Sequence, residues 1–389
     1  MRSYRVGHVA GIPIEINVSL LLFAPILAWL LSRPQQIGLY SGLIESLSGT
    51  PVDADALTTG ARPAFLGIVA AVGLFASVLV HELGHAWVAR RYDIPIARIT
   101  LWIFGGIASL ERIPREWDRE FRIAIVGPLL SLGLGLACYG LVVLLPGEVP
   151  ALVFLVGWLA IMNVSLALFN LLPAFPMDGG RILRALLSRS RSRSYADATR
   201  IAARVGRWMA IWLAVLGVLA FNPVLILVAL FVYGAAATES RTVMLDELLH
   251  GVTAADLMRE LNAVPAEESV AELLTRMLHE RRTGYPVADE RGRIVGVVTL
   301  DRLRGVREVE RDAVLVEDVM RRGVARVEAT TPAFDVLGAF GDRGAGWVVV
   351  EHDGEPAGTL SREDVARSLT LLRDIGRDGR PPAWSEGVR

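Results

Sequence analysis

A metal-binding pentapeptide lies inside an apolar stretch of this 389-residue chain. Residues 81–85 read HELGH, and the run from 64 to 88 around them carries no other charge. Ionisable side chains at membrane depth are costly unless they face a polar cavity or a metal. On an α-helix the i, i+4 spacing places His81 and His85 on one face, where they can share one Zn²⁺, and leaves Glu82 at the rim. The segment therefore predicts a metal site on a membrane helix.

Further apolar segments predict an α-helical polytopic membrane domain, in agreement with the mean hydropathy of +0.44. The crossings are expected near 16–32, 64–90, 121–145, 151–172, 207–221 and 224–238. About 20 apolar residues cross the hydrocarbon core as a helix, so this count gives about six transmembrane helices. The last two segments are short, and Asn222-Pro223 between them is a turn signal that predicts a tight helical hairpin.

The charged residues divide the chain near residue 240. Residues 1–240 carry 19 Arg and 14 acidic residues, whereas residues 241–389 carry 21 Arg and 27 acidic residues. We therefore expect a six-helix membrane domain over 1–240 and a soluble α/β domain after it. Residues 241–250 are interpreted as a linker, and the soluble domain as 251–375. Residues 376–389 are interpreted as a disordered tail.

Two features of the composition exclude other classes of protein. All 40 basic residues are Arg, but they are spread through both halves without a basic stripe interleaved with aromatic residues, so nucleic-acid binding is not expected. Cys138 is the only cysteine and lies in an apolar segment. A disulfide framework is therefore excluded, and packing is the expected role of that thiol.

The distribution of Arg predicts the orientation in the membrane. The loops after the second and fourth crossings hold Arg90, Arg91, Arg98, Arg112, Arg115 and Arg119, and Arg181, Arg184, Arg189, Arg191, Arg193, Arg200 and Arg204. The segment 33–62, on the other side, is nearly balanced. Because short Arg-rich loops stay in the cytoplasm, we expect a multi-pass protein of the cell membrane with both termini and the soluble domain inside. The active site then lies toward the cytoplasmic side.

A third metal ligand is expected where the fourth crossing ends. A hydrolytic zinc site needs three protein ligands and an open position. Residues 170–181 read NLLPAFPMDGGR, and their two Pro and two Gly must break the helix. Irregular backbone at that depth is tolerated where it lines a cavity, which places Asp178 to reach inward. The alternative is that Asp178 only caps a helix beginning at Ile182.

The two motifs together, HExxH and NxxPxxPxDG on separate membrane helices, resemble the site-2 protease family of intramembrane zinc metalloproteases. Three further segments match the family: GIPI at 11–14, FGGIA at 104–108 and Gly127-Pro128. The resemblance covers residues 5–240. It implies a membrane endopeptidase with one Zn²⁺ per chain.

The resemblance also implies the role of each site residue. His81, His85 and Asp178 would bind zinc, Glu82 would act as general base and acid, and Asn170 would contact the substrate backbone or the developing oxyanion. Zinc lowers the pKa of bound water toward 7 and polarises the scissile carbonyl, while Glu82 moves the proton. Tetrahedral N/O ligation without redox chemistry favours zinc over other divalent ions.

A transmembrane substrate must unwind locally before its peptide bond can be attacked. Residues 99–104 are β-prone and end at Gly105 and Gly106, where another backbone can come close. We hypothesise that this segment adds the unwound substrate as a strand, with Gly105 and Gly106 binding it. A self-contained interfacial hairpin is the alternative.

The soluble part contains one β-α-β-β-α pattern twice, and this tandem resembles a pair of CBS repeats. Members of that family often bind AMP or ATP in the cleft between the repeats. The Gly-x-x-Ser/Thr-x-x-Asp signature is present as Gly358, Ser361 and Asp364 but is broken in the first repeat, where Arg302 replaces the Asp. We expect at most one nucleotide site, with Ser361 and Asp364 as its residues. Dimerisation of two chains through these domains is the alternative role.

These observations predict an intramembrane zinc endopeptidase. The two resemblances imply that it cleaves in or near the transmembrane segment of a membrane-tethered regulator and is modulated by adenine nucleotide. The resemblance implies a single-span substrate such as an anti-sigma factor. A CBS-gated ion carrier and a non-proteolytic membrane scaffold are the alternatives. Carriers usually contain repeated sets of crossings, which this sequence lacks, and the intact Glu82 disfavours the scaffold.

Overall fold

The computed structural model describes residues 3–103, 105–110, 114–145, 148–190, 193–342 and 346–377. It divides into two compact units, Met1–Arg241 and Thr242–Arg389. The tail that was predicted from residue 376 lies outside the described residues from 378 onward, as do Phe104, Arg112 and Arg191.

The first unit is built mainly of helices, with a small sheet from two separate parts of the chain. In chain order its elements are β1 (Ser3–Val9), β2 (Ile12–Asn17), α1 (Val18–Leu31), α2 (Pro34–Ser48), α3 (Ala54–Leu57), α4 (Arg62–Arg90), β3 (Ile96–Trp102), β4 (Gly105–Leu110), α5 (Trp117–Leu144), α6 (Pro150–Asn170), α7 (Asp178–Ser188), α8 (Tyr195–Leu219) and α9 (Pro223–Leu248). The linker predicted at 241–250 is thus helical as far as Leu248.

Five of the described helices, α4, α5, α6, α8 and α9, are long and apolar enough to cross a membrane. A sixth span is possible if α1 and α2, which meet at a bend of 72°, are taken as one. The predicted class, a polytopic helical membrane domain followed by an α/β domain, is confirmed. The predicted first crossing at 16–32 corresponds to the 14-residue α1 alone.

Helix α2 was not expected, and helices α8 and α9 are longer than predicted. The segment 33–62, between the first two predicted crossings, contains α2, because Pro34 can start a helix and Gly49 ends it with a φ of 71°. Helices α8 and α9 have 25 and 26 residues, longer than the apolar runs that predicted them. Their ends carry charged residues, which a search for apolar segments does not include. The turn between them is as predicted, because the N–H groups of Val224 and Leu225 donate to Asn222 Oδ1 at 3.1 Å.

The four-stranded sheet covers helix α4. Its strand order is β1-β2-β3-β4, with β2 and β3 parallel and the other pairs antiparallel. Buried Ile14, Ile99 and Leu101 form an apolar cluster with Val78 and Ala86 of α4. Because side chains alternate across a strand, the opposite face is polar and carries Glu15 and Arg98. The sheet is therefore fixed on the helix that bears the HELGH motif.

The second unit contains two sheets that exchange short strands. Its elements are α10 (Ala254–Leu257), β5 (Arg259–Glu260), β6 (Val264–Pro265), α11 (Val270–Glu280), β7 (Gly284–Ala288), β8 (Ile294–Thr299), α12 (Leu300–Leu303), α13 (Val316–Val319), β9 (Arg321–Arg322), β10 (Ala325–Glu328), α14 (Ala333–Asp342), β11 (Trp347–His352), β12 (Glu355–Ser361) and α15 (Arg362–Arg377). The sheet orders are β10-β11-β12-β5 and β6-β7-β8-β9. Strand β5 of the first repeat pairs with β12 of the second, and β9 of the second repeat pairs with β8 of the first. This exchange joins the two repeats into one module.

Candidate active site

Three ligand side chains from two separate helices converge at one point. Nε2 of His81 and Nε2 of His85, both on α4, lie 3.1 Å apart. Oδ2 of Asp178, in the first turn of α7, lies 3.0 Å from His81 Nε2 and 3.1 Å from His85 Nε2. All three residues are buried. The ligand atoms of these three residues lie within 4.8 Å of one another, which is close enough to hold one metal ion.

The turn before α7 brings Asp178 to the imidazoles. Helix α6 ends at Asn170 and α7 begins at Asp178, so the backbone breaks between them as the two Pro predict. A Cβ on Gly179 would overlap the carbonyls of Leu171 and Leu172, and one on Gly180 would overlap the backbone at Ala174. The two glycines therefore let the turn fold back tightly onto α7. Asp178 faces the imidazoles, so a capping role alone does not account for it.

Helix α5 orients both imidazole rings. The carbonyl of Ile123 accepts from Nδ1 of His85 at 2.6 Å, and Ser131 Oγ lies 2.9 Å from Nδ1 of His81. Partners of this kind fix ring orientation and tautomer in metal sites. With Nδ1 of each ring occupied by α5, Nε2 is the nitrogen that each ring offers to a metal ion beside Asp178.

Gly127 of α5 makes room for the cluster. A Cβ at this position would overlap Nε2 of both His81 and His85. Any larger residue would therefore occupy the space in which the ligand atoms meet. In the sequence, Gly127 stands out only as part of a segment that matches the family, and no local pattern explains why this position is a glycine.

The donor set fits a tetrahedral zinc ion. Its three edges measure 3.0–3.1 Å. Tetrahedral Zn²⁺ with bonds of about 2.0–2.1 Å separates its ligand atoms by about 3.3 Å, close to the observed spacing. Two imidazoles and a carboxylate leave a fourth position for water or substrate, as catalytic zinc sites do.

Glu82 lies beside the cluster without joining it. Its side chain is turned toward β4, where the N–H of Ala108 donates to Glu82 Oε2 at 3.2 Å. Gly106 packs so closely that a Cβ there would overlap the Glu82 side chain. This carboxylate thus lies between the metal ligands and the strand.

A cavity of about 420 Å³ connects these groups. Its walls include Glu82, the three metal ligands, Gly105, Gly106, Asn170 and Arg181, with apolar Phe169, Phe175 and Phe231. Asn170 is the last residue of α6, and its side-chain amide donates one N–H to the Leu166 carbonyl at 3.0 Å. The same amide nitrogen has a second N–H. The structure therefore brings together all the residues that were predicted for catalysis, metal binding and substrate contact.

The strand hypothesis needs a correction. Residues 99–102 lie in β3, which pairs with β2 on one side and β4 on the other, so this segment has no free edge for a substrate. The hydropathy pattern could not show that the N-terminal hairpin occupies that edge. The outer strand beside Glu82 is β4, which starts at Gly105 with a φ of 132° that favours glycine.

The second unit has a cleft of about 510 Å³ between its repeats, lined by Ser361 and by residues of both repeats. Four of its lining residues are Arg, namely Arg302, Arg304, Arg321 and Arg362. Asp364 is not among the lining residues. Its Oδ1 pairs with Arg259 Nε at 2.6 Å, and its Oδ2 accepts from Ser361 Oγ at 2.6 Å. Of the two predicted nucleotide residues, Ser361 therefore lines the cleft, whereas Asp364 binds Ser361 and Arg259 at the start of α15.

Comparison with known families matches both parts of the chain. The profile of Peptidase family M50 matches residues 69–153 and 147–213. The CBS domain profile matches residues 254–308 and 316–371.

Known relatives match the chain over nearly its whole length. A zinc metalloprotease of Methanocaldococcus jannaschii is 33% identical over 371 residues, which cover 95% of this chain and 97% of the relative. Rip3 of Mycobacterium tuberculosis is 33% identical over 388 residues, with coverage of 94% and 93%. The solved site-2 protease from M. jannaschii is 35% identical, with a TM-score of 0.43, and covers 61% of this chain and 95% of that one.

Substitution of Gly127 by Ala is expected to impair metal binding, because the new Cβ would push the imidazoles apart. Zinc content of the purified protein, measured by atomic emission, should fall well below one per chain. Gly133→Ala is the matched control, since Gly133 lies on the same helix with open space around it. Wild-type zinc content in Gly127→Ala would contradict this interpretation of the site.

Proposed function

This chain belongs to peptidase family M50, the site-2 proteases, and from that membership we propose that it cleaves membrane-tethered regulatory proteins in or near their transmembrane segments. It is a multi-pass membrane zinc metalloprotease with a C-terminal CBS pair. The observation that carries the proposal is the convergence of His81, His85 and Asp178 beside Glu82 in one cavity.

His81, His85 and Asp178 would hold the zinc ion, and the remaining polar groups would do the chemistry around it. A bound Zn²⁺ would lower the pKa of water and polarise the scissile carbonyl. Glu82 would accept the proton of the attacking water and return it to the leaving amine nitrogen. The second N–H of Asn170 would donate to the substrate carbonyl.

The substrate would bind as an extended strand along β4. Because backbone groups alternate along a strand, the N–H of Ala108, which reaches Glu82, shows that Gly106 and Ala108 point their backbone groups away from β3. Because the N–H of Ala108 already donates to Glu82, a locally unwound substrate would pair with the other outward backbone groups of this edge. Such pairing would hold its peptide bonds open to attack and give Gly105 and Gly106 their role in binding.

The Arg-rich ends of the helices support a cytoplasmic active site in the cell membrane. The guanidinium carbon of Arg91 lies 3.9 Å from the ring centre of Trp87, and that of Arg189 lies 5.0 Å from the ring centre of Trp117. Trp and Arg side chains at helix ends are typical of the membrane–water interface, and Arg enrichment is typical of the cytoplasmic side. Both termini and the CBS pair would then face the cytoplasm. An anti-sigma factor or another single-span regulator is the expected substrate class.

The CBS pair would bind AMP or ATP in its cleft and thereby modulate cleavage. The cleft lining has four Arg against the acidic Asp301 and Glu363. Arg side chains bind phosphate oxygens through several N–H groups at once, and Trp347 on the same wall offers a surface for a base. Ser361 is the predicted nucleotide residue that lines this space, whereas Asp364 would act by capping α15 behind it.

Replacing Glu82 by Gln is expected to lower kcat for a model transmembrane substrate by about 10²- to 10⁴-fold, because the side chain keeps its shape but cannot take a proton. Zinc content should be unchanged, since Glu82 is not a ligand. Glu15→Gln, a carboxylate on the outer face of the sheet, is the control and should retain cleavage. Full activity of the Glu82 variant would exclude this residue as the base.

Strand addition makes a periodic prediction that can be tested on the substrate. Only every second amide of an added strand faces β4, so N-methylation of successive substrate amides around the cleaved bond should raise KM at alternate positions. The measurement is a set of N-methylated peptides assayed with the wild-type enzyme in detergent. Similar KM values at adjacent positions would argue against pairing with β4.

Nucleotide binding can be tested with two neighbouring arginines of β9. Arg321 lines the cleft, whereas Arg322 is the next residue on the strand and points to the other face. Titration calorimetry of the full chain with AMP and with ATP should show that Arg321→Ala weakens binding by about tenfold, the loss expected for one charge-assisted hydrogen bond. Arg322→Ala should bind as the wild type does. The nucleotide proposal fails if neither nucleotide binds the wild type or if the two variants weaken binding equally.

A further inference from the structure

A fully buried arginine lies six residues after Asp178 on the same helix. Arg184 is 0% exposed. Its Nε and Nη2 donate to Glu120 Oε1 at 2.8 and 2.5 Å, and its Nη1 donates to Glu239 Oε1 at 2.6 Å. A buried guanidinium costs several kcal/mol unless it is paired in this way. One side chain therefore ties α7 to both α5 and α9.

Two aromatic rings complete the surroundings of Arg184. Its guanidinium carbon lies 5.0 Å from the ring centre of Phe175 and 4.8 Å from that of Tyr195. Phe175 belongs to the turn that immediately precedes Asp178, and Tyr195 is the first residue of α8. The guanidinium is thus held by two carboxylates and lies over two aromatic rings. This arrangement fixes the rotation of α7 about its own axis.

One face of α5 contacts the imidazoles of His81 and His85 directly, and it contacts Arg184 on the helix that carries Asp178. Glu120, Ile123, Gly127 and Ser131 are all buried and follow one another at intervals of three, four and four residues, which is one stripe of a helix. Ile123 holds His85, Ser131 holds His81, and Gly127 accommodates both rings. Glu120 is the remaining member of the stripe, and it reaches Arg184 on the helix of Asp178.

From this stripe we infer that Arg184, through Glu120, is the positioning residue for Asp178, as Ile123 and Ser131 are for the two imidazoles. The inference rests on the proposed function, in which these three side chains hold the metal. Arg184 does not touch the ligand atoms. It sets the rotation and depth of α7, and with them the place of the Asp178 carboxylate relative to the imidazoles.

A purely structural role would not need a charge here, because an apolar side chain of similar volume often stabilises a buried site as well as an ion pair does. Because the Arg184 guanidinium binds Glu120 on α5 and Glu239 on α9, it defines the orientation of α7, which apolar packing alone would not do. Its contribution should therefore appear in the geometry and affinity of the metal site, and less in the stability of the fold.

Cobalt provides the test, because its visible absorption reports ligand geometry without any need for activity. Full-length Arg184→Met and Glu120→Gln in detergent would be stripped of metal, loaded with Co²⁺ and titrated against a chelator. Both variants should show a shifted visible band and bind Co²⁺ about 10- to 100-fold more weakly, the range typical for loss of supporting contacts around a metal site. Arg200→Met, whose exposed pair with Asp197 lies on α8, is the control and should match the wild type.

The outcomes separate this inference from the proposed function. If the wild type fails to bind Co²⁺ at His81, His85 and Asp178, the metal site itself is contradicted. If the wild type binds and a folded Arg184→Met or Glu120→Gln variant keeps the wild-type spectrum and affinity, the positioning role is overturned. Should Arg184→Met not fold, judged by circular dichroism and gel filtration, the nearly isosteric Glu120→Gln decides alone.

Discussion

The structure depends on placing three ionisable side chains at one point inside an apolar bundle. Each of them would be costly there by itself, whereas a shared positive ion and fixed hydrogen-bond partners make their joint burial favourable. Helix α5 supplies partners for the two imidazoles, Ile123 and Ser131, and its Glu120 on the same face binds Arg184 on the helix of Asp178. The remaining elements follow from this requirement. The turn before α7 delivers Asp178, and the sheet brings β4 beside Glu82.

The HELGH motif and the Pro- and Gly-rich break were sufficient to predict the ligands, because each is a local pattern with a direct geometric meaning. The supports of those ligands could not be predicted in the same way. Ser131 and Glu120 are 50 and 64 residues away in sequence from the side chains they contact. Only the packing of α5 against α4 and α7 brings them together. Gly127 could have been suspected, since a glycine within an apolar helix often marks a close approach.

The fold shows the same division between local and long-range information. Apolar runs predicted the crossings, but α2 was missed because its mixed composition resembles a loop. The exposed edge of the sheet was assigned to the wrong strand, since pairing of β2 with β3 joins segments about 85 residues apart. In the second unit the repeat was evident from the sequence. The exchange of β5 and β9 between the sheets, and the pairing of Asp364 with Arg259, depend on contacts between repeats and left no local pattern.

A single zinc ion is expected where α4 and α7 meet. The most direct measurement is X-ray diffraction from crystals of the purified protein on both sides of the zinc absorption edge. We expect one anomalous peak per chain, about 2.0–2.2 Å from Nε2 of His81, Nε2 of His85 and a carboxylate oxygen of Asp178. A peak that Asp178 does not reach, or a strong peak at another group of residues with none here, would rule out this metal site.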